Sequence, residues 1–259
     1  MFGWWTAGRR RRLLARREPV GFRDELMAGI WQWSYLPEDV SDAAADWARI
    51  FLAEKYWEGC NGLTLASHHQ TTIAGQASLM TLAFPEWFFD SCQTLLVYPD
   101  NYVATGVTHM VNGQTGIHGE QARLGQTSYR GPVVLNWSAV SRAGAHFNDG
   151  DSLTVHEFAH QMDFDNGPQS DGIPPLPRDV DSHQWQQDFH DQLSDLRQRA
   201  QYGGDILVND YGLTSPSEFF AVSSELFFQL PHEFAQLHAE LFDLLLVFYQ
   251  RDWREWLPI

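Results

Sequence analysis

The sequence predicts an α+β fold that is mainly helical and has a small mixed sheet at its centre. Two short runs are rich in β-branched and aromatic residues, TLLVY at 94–98 and PVVLNW at 132–137. Both have the length and boundaries of strands, and both lie in the middle of the chain. The segments on either side of them have the apolar spacing or the boundary residues of helices.

The helices follow from apolar spacing and from boundary residues. Residues 38–57 have apolar side chains at intervals near 3.6 and begin, after Pro37, with acidic residues. Residues 69–83 are predicted to form a second helix, which ends before Pro85. The other predicted helices are 152–163, 183–200, 216–229 and 231–249, and the Pro- and Gly-rich segment 167–180 is predicted to be an irregular loop.

The charge is strongly acidic and unevenly distributed. The chain has 17 basic and 33 acidic residues, which give a formal net charge of −16. Residues 1–20 contain six arginines and one glutamate and carry +5, so the rest of the chain carries −21. Such a surface repels nucleic acid and anionic lipid, and we expect neither as a partner. Residues 1–20 are predicted to be a flexible, solvated tail, with a basic anchor for an acidic partner as the alternative.

Length and cysteine content bound the organisation of the chain. No linker divides the sequence convincingly, so residues 21–259 are predicted to form a single domain. The two cysteines, Cys60 and Cys92, are too few for a disulfide framework and favour a reducing compartment. No apolar run reaches the roughly 18 residues of a membrane span, and the first residues do not have the form of a signal peptide. We therefore expect a cytoplasmic protein.

The strongest chemical signal is the run His156-Glu157-Phe158-Ala159-His160. Residues four apart lie on one face of a helix, so the two imidazoles can bind one metal ion. Glu157 can reach a water at that ion without ligating the ion itself. Zinc suits two histidines and a carboxylate, and it lowers the pKa of a bound water towards about 7. The alternative is an ordinary packed helix with two exposed histidines.

A catalytic zinc site needs a third protein ligand. One known continuation of the motif has glycine at 163 and histidine at 166, but this chain has Asp163 and Asn166 there. Asp163 lies on the same face as His156, where it could orient a ligand histidine from behind. The candidates for the third ligand are Glu218, Glu225, His183, His190 and Asp210.

Glu218 has two interpretations. It shares one stripe of an apolar helix with Glu225, where unpaired carboxylates would be costly and a metal ion would compensate them. However, Ser215-Pro216-Ser217-Glu218 is also a capping-box sequence, in which the glutamate caps its own helix. The spacing does not separate the two roles.

Several segments together resemble the Mlc titration factor A family of zinc metallopeptidases. They are HEFAHQMD at 156–163, GPVVLNW at 131–137, LLVYP at 95–99 and SPSEFFAVSSELFF at 215–228. The resemblance covers nearly the whole chain from about residue 20 and leaves the Arg-rich tail outside. It implies a zincin-like, gluzincin-type core related to the catalytic domain of anthrax lethal factor, aminopeptidase activity on peptides, and one zinc ion per chain.

The resemblance assigns the central roles to four residues. His156, His160 and Glu218 would be the zinc ligands, and Glu157 would be the general base. The family name also implies a second function, in which the protein sequesters a transcriptional repressor of sugar uptake and catalysis is secondary.

Three further residues are given supporting roles by the resemblance. Tyr211 stands seven residues before the ligand glutamate and would donate a hydrogen bond to the oxyanion. Thermolysin-type enzymes have an aspartate four residues after the ligand glutamate, but this chain has Val222 there. Asp163 and Glu225 are therefore expected to orient the ligands. Seven other histidines are interpreted as structural, namely His68, His69, His109, His118, His146, His232 and His238.

Two features bear on the substrate. Residues 133–137 are either a sheet edge that pairs with an extended peptide or a fully buried strand, with equal weight. The chain from residue 151 onward has 5 basic and 19 acidic residues. An acidic cleft would favour a free α-ammonium or a basic peptide, whereas the alternative is that the acidity serves solubility.

Overall fold

We describe the fold from a computed structural model that covers residues 3–100, 102–103, 110–111, 114–115, 122–123, 125–145 and 150–259. In these parts of the chain the helices are α1 (Gly3–Leu14), α2 (Phe22–Gly29), α3 (Glu38–Glu54), α4 (Ser67–Met80), α5 (Trp137–Ala145), α6 (Leu153–Asp163), α7 (Ser182–Gln201), α8 (Pro216–Gln229), α9 (Pro231–Leu237) and α10 (Ala239–Tyr249). The strands are β1 (Tyr56–Gly59), β2 (Thr94–Tyr98), β3 (Tyr102–Val103), β4 (Met110–Val111), β5 (Gln114–Thr115), β6 (Ala122–Arg123), β7 (Gly125–Gln126) and β8 (Val133–Asn136). The mainly helical α+β class is confirmed.

The central sheet has the strand order β1-β2-β8-β7. Strands β1, β2 and β8 are parallel, and β7 runs antiparallel to β8, so the sheet is mixed as predicted. Every residue of β8 is buried. Residues 133–136 therefore form an interior strand, and the edge interpretation of this segment is wrong. Because β8 is flanked by β2 and β7, the outer position beside it belongs to β7.

Helix α6, which carries the His156–His160 motif, packs into the main hydrophobic core. It contacts the helices α4, α5 and α8 and the strands β7 and β8. Phe158 is fully buried, with ring centroids 5.7 Å from Phe51 and 4.7 Å from Phe89. Buried aromatic pairs of this kind hold the helix in place. The packing of Phe158 in the core thus fixes the direction of the face of α6 that carries His156 and His160.

The predicted helix at 38–57 ends earlier, and β1 replaces its last turn. Lys55 caps α3 with extended backbone angles. Its buried ammonium group donates hydrogen bonds to the carbonyl oxygens of Phe89 and Cys92, each at 2.7 Å. Burial lowers the pKa of Lys55. Because this side chain is tied to the segment before β2, the chain turns at Lys55 and enters the sheet.

The predicted helix at 231–249 is two helices that meet at His238. The backbone angles of His238, φ −138° and ψ 55°, interrupt the helix. The Nε2 atom of His238 accepts a hydrogen bond from the Leu207 amide at 2.9 Å. The break thus supports the loop between α7 and α8.

No helix among the described residues combines the length and the apolar character needed to cross a bilayer.

Residues 3–14, predicted to belong to a flexible tail, form α1 and pack on α3. Arg10 donates to Glu54 with an Nη2–Oε2 distance of 2.8 Å, and its guanidinium lies 3.8 Å from the ring centroid of Phe88. Its side chain is only 12% exposed. The composition did not reveal this docking, because the partners of Arg10 come from α3 and from the segment after α4.

Candidate metal site

Helix α6 presents His156 and His160 on one face, one turn apart. The centroids of the two imidazole rings are 4.9 Å apart, and both residues are buried. The helix begins after Ser152, whose carbonyl oxygen accepts the His156 amide at 2.9 Å. The interpretation of this motif as a helix with two exposed histidines therefore differs from the structure.

Glu218 reaches the two histidines from the first turn of α8. Its Oε2 atom lies 3.1 Å from His156 Nε2 and 3.4 Å from His160 Nε2. Ser215 caps α8 by accepting the Glu218 amide at 3.2 Å, and Pro216 occupies the first turn. The capping sequence thus sets the start of α8, whereas the carboxylate of Glu218 faces the histidines.

The side chains around Glu218 form a cluster with negative electrostatic potential. Burial would raise the pKa of Glu218, but its contacts with His156 and His160 hold that pKa well below the usual range, so the carboxylate is ionised. Burial would lower the pKa of His156, but Glu225 and Glu218 outweigh this effect and hold it well above its usual value. A cation is therefore favoured where these groups meet.

The donor set fits a divalent metal ion. The three ligand atoms all lie within 4.8 Å of one another. Metal–ligand bonds of about 2.0–2.1 Å place the corners of a tetrahedron roughly 3.4 Å apart, close to the Glu218–histidine separations of 3.1 and 3.4 Å. Two imidazole nitrogens and one carboxylate oxygen are donors typical of zinc. Among the residues that the structure describes, these form the group that could hold a metal.

Glu225 supports His156 directly from behind. The Nδ1 atom of His156 lies 2.8 Å from Glu225 Oε1, and the Ser152 amide donates to Glu225 Oε2 at 2.5 Å. Burial raises the pKa of Glu225, although the contact with His156 opposes this effect. Because Nδ1 is engaged here, Nε2 of His156 is directed towards Glu218.

Asp163 approaches His160 through a serine. Ser217 Oγ lies 3.0 Å from His160 Nδ1 and 3.3 Å from Asp163 Oδ2. Asp163 is completely buried and also accepts hydrogen bonds from Ser170 and from the amides of Gly172 and Ile173. The expected contact between Asp163 and a histidine is therefore indirect.

Glu157 and Tyr211 lie beside the three converging side chains. Glu157 is buried at 4% exposure and is close enough to His156 for its charge to raise the pKa of that histidine. The ring of Tyr211 is stacked on His156 with a centroid separation of 6.0 Å and is 55% exposed. Its turn is held by the Gly212 amide, which donates to Asn209 Oδ1 at 3.0 Å. Tyr211 thus lines the solvent side of the site.

The other candidates for the third ligand lie elsewhere or act differently. His183 and His190 lie on α7, and Asp210 lies in the turn before α8. The structure does not bring these three into the group formed by His156, His160 and Glu218. Of the histidines interpreted as structural, His109, His118 and His146 lie outside the described residues.

Sequence reasoning missed Ser152, Ser170 and Ser217. Their contacts with Glu225 and Asp163 depend on how separate segments pack around α6. Ser217 stands next to Glu218 in the capping sequence, but that pattern does not indicate contact with a histidine. The chain offers no local signal for these residues.

A buried HExxH helix whose two histidines meet a glutamate from a later helix defines a metallopeptidase-type centre. Comparison with known proteins agrees. The chain belongs to the glucose-regulated metallo-peptidase M90 family, whose model matches residues 4–250. This match includes most of the Arg-rich segment, so the resemblance extends further towards the N-terminus than expected.

Individual relatives show about 30% identity over most of the chain. An "Uncharacterized protein slr2042" of Synechocystis sp. is 31% identical over 202 residues, which are 78% of this chain and 73% of the relative. A protein named "Mlc titration factor A" of Klebsiella pneumoniae (strain 342) is 32% identical over 209 residues, covering 79% and 77%. Another protein of that name, from Salmonella schwarzengrund, is 29% identical over 235 residues and 86% of each chain.

Proposed function

We propose that this chain is a zinc-dependent peptidase of aminopeptidase type, in which His156, His160 and Glu218 hold one zinc ion. The observation that carries the proposal is the convergence of two imidazole Nε2 atoms on Glu218 Oε2, at 3.1 and 3.4 Å. Membership of a metallopeptidase family supports it. The finer roles below rest on the positions of the surrounding side chains.

Glu157 is the general base of the proposed reaction. Zinc, when bound, polarises the scissile carbonyl and acidifies a water molecule. Glu157 follows His156 on α6 and is buried beside it. Its carboxylate takes a proton from the attacking water and passes it to the leaving amine. Because the side chain is buried, few solvent molecules compete for that proton.

Tyr211 assists at the oxyanion. Its phenol stands at the mouth of the site, since its ring is stacked on His156 and more than half exposed. A phenol O–H in this position donates a hydrogen bond to the developing negative charge on the carbonyl oxygen. The turn at 209–214 holds this phenol near the histidines.

The peptide substrate is aligned by β7. This strand is the outer neighbour of β8, and α6 packs against it. No further strand of this sheet lies beyond β7 in the described parts of the chain. Its outer backbone groups can therefore pair with an extended peptide beside the helix that carries the two histidines.

The acidic charge of the part of the chain that contains the candidate ligands supports an aminopeptidase specificity. From residue 151 onward the chain has 5 basic and 19 acidic residues. A negative field favours substrates with a free α-ammonium group over blocked or acidic peptides.

Cys60 and Cys92 are both unpaired thiols, which suits a reducing cytoplasm.

A second candidate function is the regulation of a transcriptional repressor by binding. It is favoured by the name "Mlc titration factor A" carried by relatives at about 30% identity. Binding and hydrolysis are separable, because sequestration requires a surface and not a general base. A variant that loses hydrolysis and keeps binding to such a repressor would show that both functions reside in the chain.

The decisive test is the Glu157→Gln variant beside the wild type. Metal analysis of purified protein is expected to give one zinc per chain in both, whereas hydrolysis of aminoacyl substrates is lost in the variant. N-blocked versions of the same substrates are expected to be poor. Glu255→Gln serves as the control, because Glu255 is exposed and lies in the short 3₁₀ helix Trp253–Glu255 that follows α10. Full activity of Glu157→Gln would contradict this mechanism.

A further inference from the structure

Asp163 is a buried carboxylate at the end of α6 that gathers donors from two other segments. Its exposure is 0%. Its Oδ2 atom accepts the Ser170 hydroxyl at 2.7 Å and the Gly172 amide at 2.9 Å, and its Oδ1 atom accepts the Ile173 amide at 3.1 Å. A buried carboxylate is stable only when such donors surround it. Asp163 thus fastens the segment 170–173 to α6.

The same segment lies on the first turn of α8. Gly172 has φ +78°, and a Cβ atom there would come within 2.3 Å of the Pro216 carbonyl oxygen. The backbone of the segment therefore touches α8 two residues before Glu218. Because glycine alone allows this approach, the position of 170–173 and the start of α8 are coupled.

Ser217 connects this arrangement to His160. Its Oγ atom is 3.0 Å from His160 Nδ1 and 3.3 Å from Asp163 Oδ2, and it also touches the Ser170 hydroxyl. When Nε2 of His160 binds a metal ion, Nδ1 carries the ring proton. Ser217 Oγ is then in position to accept that proton and to direct its own O–H towards the acceptors on the Asp163 side.

We propose that Asp163 is a positioning residue for two ligands at once: it holds His160 through Ser217 and the start of the Glu218 helix through segment 170–173. The proposal rests on the proposed function, since it assumes that His160 and Glu218 bind zinc. His156 differs, because Glu225 contacts it directly. The two histidines are thus oriented by separate carboxylates, one direct and one through a hydroxyl.

The experiment compares Asp163→Asn with Asp165→Asn in the full chain. Asp165 is exposed, lies two residues further on, and serves as the matched control. The zinc dissociation constant is measured by competition with a chelator, and hydrogen exchange is followed at the Gly172 and Ile173 amides. Asp163→Asn is expected to weaken zinc binding about 10–100-fold and to speed exchange at both amides. Asp165→Asn is expected to change neither quantity.

The Ser217→Ala variant separates the two proposed effects of Asp163, the one on His160 through Ser217 and the one on α8 through segment 170–173. It removes the acceptor of His160 Nδ1 and leaves the amide bonds of Gly172 and Ile173 to Asp163 in place. We expect weaker zinc binding with unchanged exchange at these amides. Ser223→Ala is the control, because Ser223 is buried on the same helix and its hydroxyl has no hydrogen-bond partner among the described residues.

The failures of this proposal and of the proposed function can be told apart. Wild-type protein that does not bind zinc, or a fully active Glu157→Gln variant, contradicts the proposed function. Tight zinc binding by wild type and equally tight binding by Asp163→Asn overturns the proposal about Asp163. If Asp163→Asn does not fold, Ser217→Ala decides: zinc binding as tight as that of wild type overturns the proposal, because the link from Asp163 to His160 runs through the Ser217 hydroxyl.

Discussion

Glu218 Oε2 lies 3.1 Å from His156 Nε2, although the two residues belong to different helices. The contact joins the first turn of α8 to the middle of α6, and these two helices pack along each other. Zinc affinity should therefore depend on Glu218 as strongly as on the motif histidines.

Replacing Glu218 by alanine is expected to abolish tight zinc binding. The loss should exceed the roughly 10–100-fold effect typical of residues that only support a ligand. Added zinc raises the thermal unfolding midpoint of a protein that binds it in the native state. We expect this rise in wild type and not in Glu218→Ala, as measured by calorimetry with and without zinc. An equal rise in both proteins would remove Glu218 from the ligand set.

Replacing Tyr211 by phenylalanine should slow the chemical step. The loss of one oxyanion donor typically lowers kcat about 10²–10³-fold. KM and zinc content should change little, since the ring and its stacking on His156 are retained. Tyr202→Phe is the control, because Tyr202 is 81% exposed at the end of α7. Unchanged kcat in Tyr211→Phe would exclude the phenol from catalysis.

Replacing Arg10 by glutamine should destabilise the protein by about 1–2 kcal/mol. The change removes the bond to Glu54 and the contact with the Phe88 ring, both largely shielded from solvent. Arg11 is exposed on the same helix, and Arg11→Gln should stay within about 0.5 kcal/mol of wild type. Urea unfolding measures both values. Identical stability of all three proteins would indicate that α1 is not docked in solution.

His238 should make stability fall as the solution becomes acidic. Burial, followed by the charge of Arg199, lowers the pKa of His238 in the folded protein, and its Nε2 must be unprotonated to accept the Leu207 amide. The unfolded chain binds this proton at its ordinary pKa of about 6.5. The stabilisation is therefore complete above that pH and is lost as the pH falls towards the lower folded pKa.

The control for this prediction is His238→Gln, whose side-chain oxygen can accept the same amide without titrating. The free energy of unfolding is measured for both proteins from about pH 7.5 to 5, a range around the pKa of 6.5 in the unfolded chain. The free energy of unfolding of wild type should fall relative to that of the variant as the pH decreases across this range. A constant difference between the two would show that His238 does not titrate in the folding equilibrium.

The sequence predicts most reliably what local spacing determines. His156 and His160 are one turn apart in any helix, and β2 and β8 are marked by their β-branched residues. Prediction from the sequence is less reliable where the structure of a segment depends on a partner that lies far away in the chain. β8 has the composition of either an edge or an interior strand, and β7 is too short to be recognised before its pairing is seen.

The sequence by itself therefore determined the mainly helical class, the motif helix and the shared face of its two histidines, because these depend on residues within one or two turns of each other. The tertiary structure decided that the Glu218 carboxylate faces the histidines and that Asp163 reaches His160 only through Ser217. It also decided that Arg10 docks on Glu54. These contacts join segments far apart in the chain, and only the packing of α6 against α8 and of α1 against α3 brings their charges within reach.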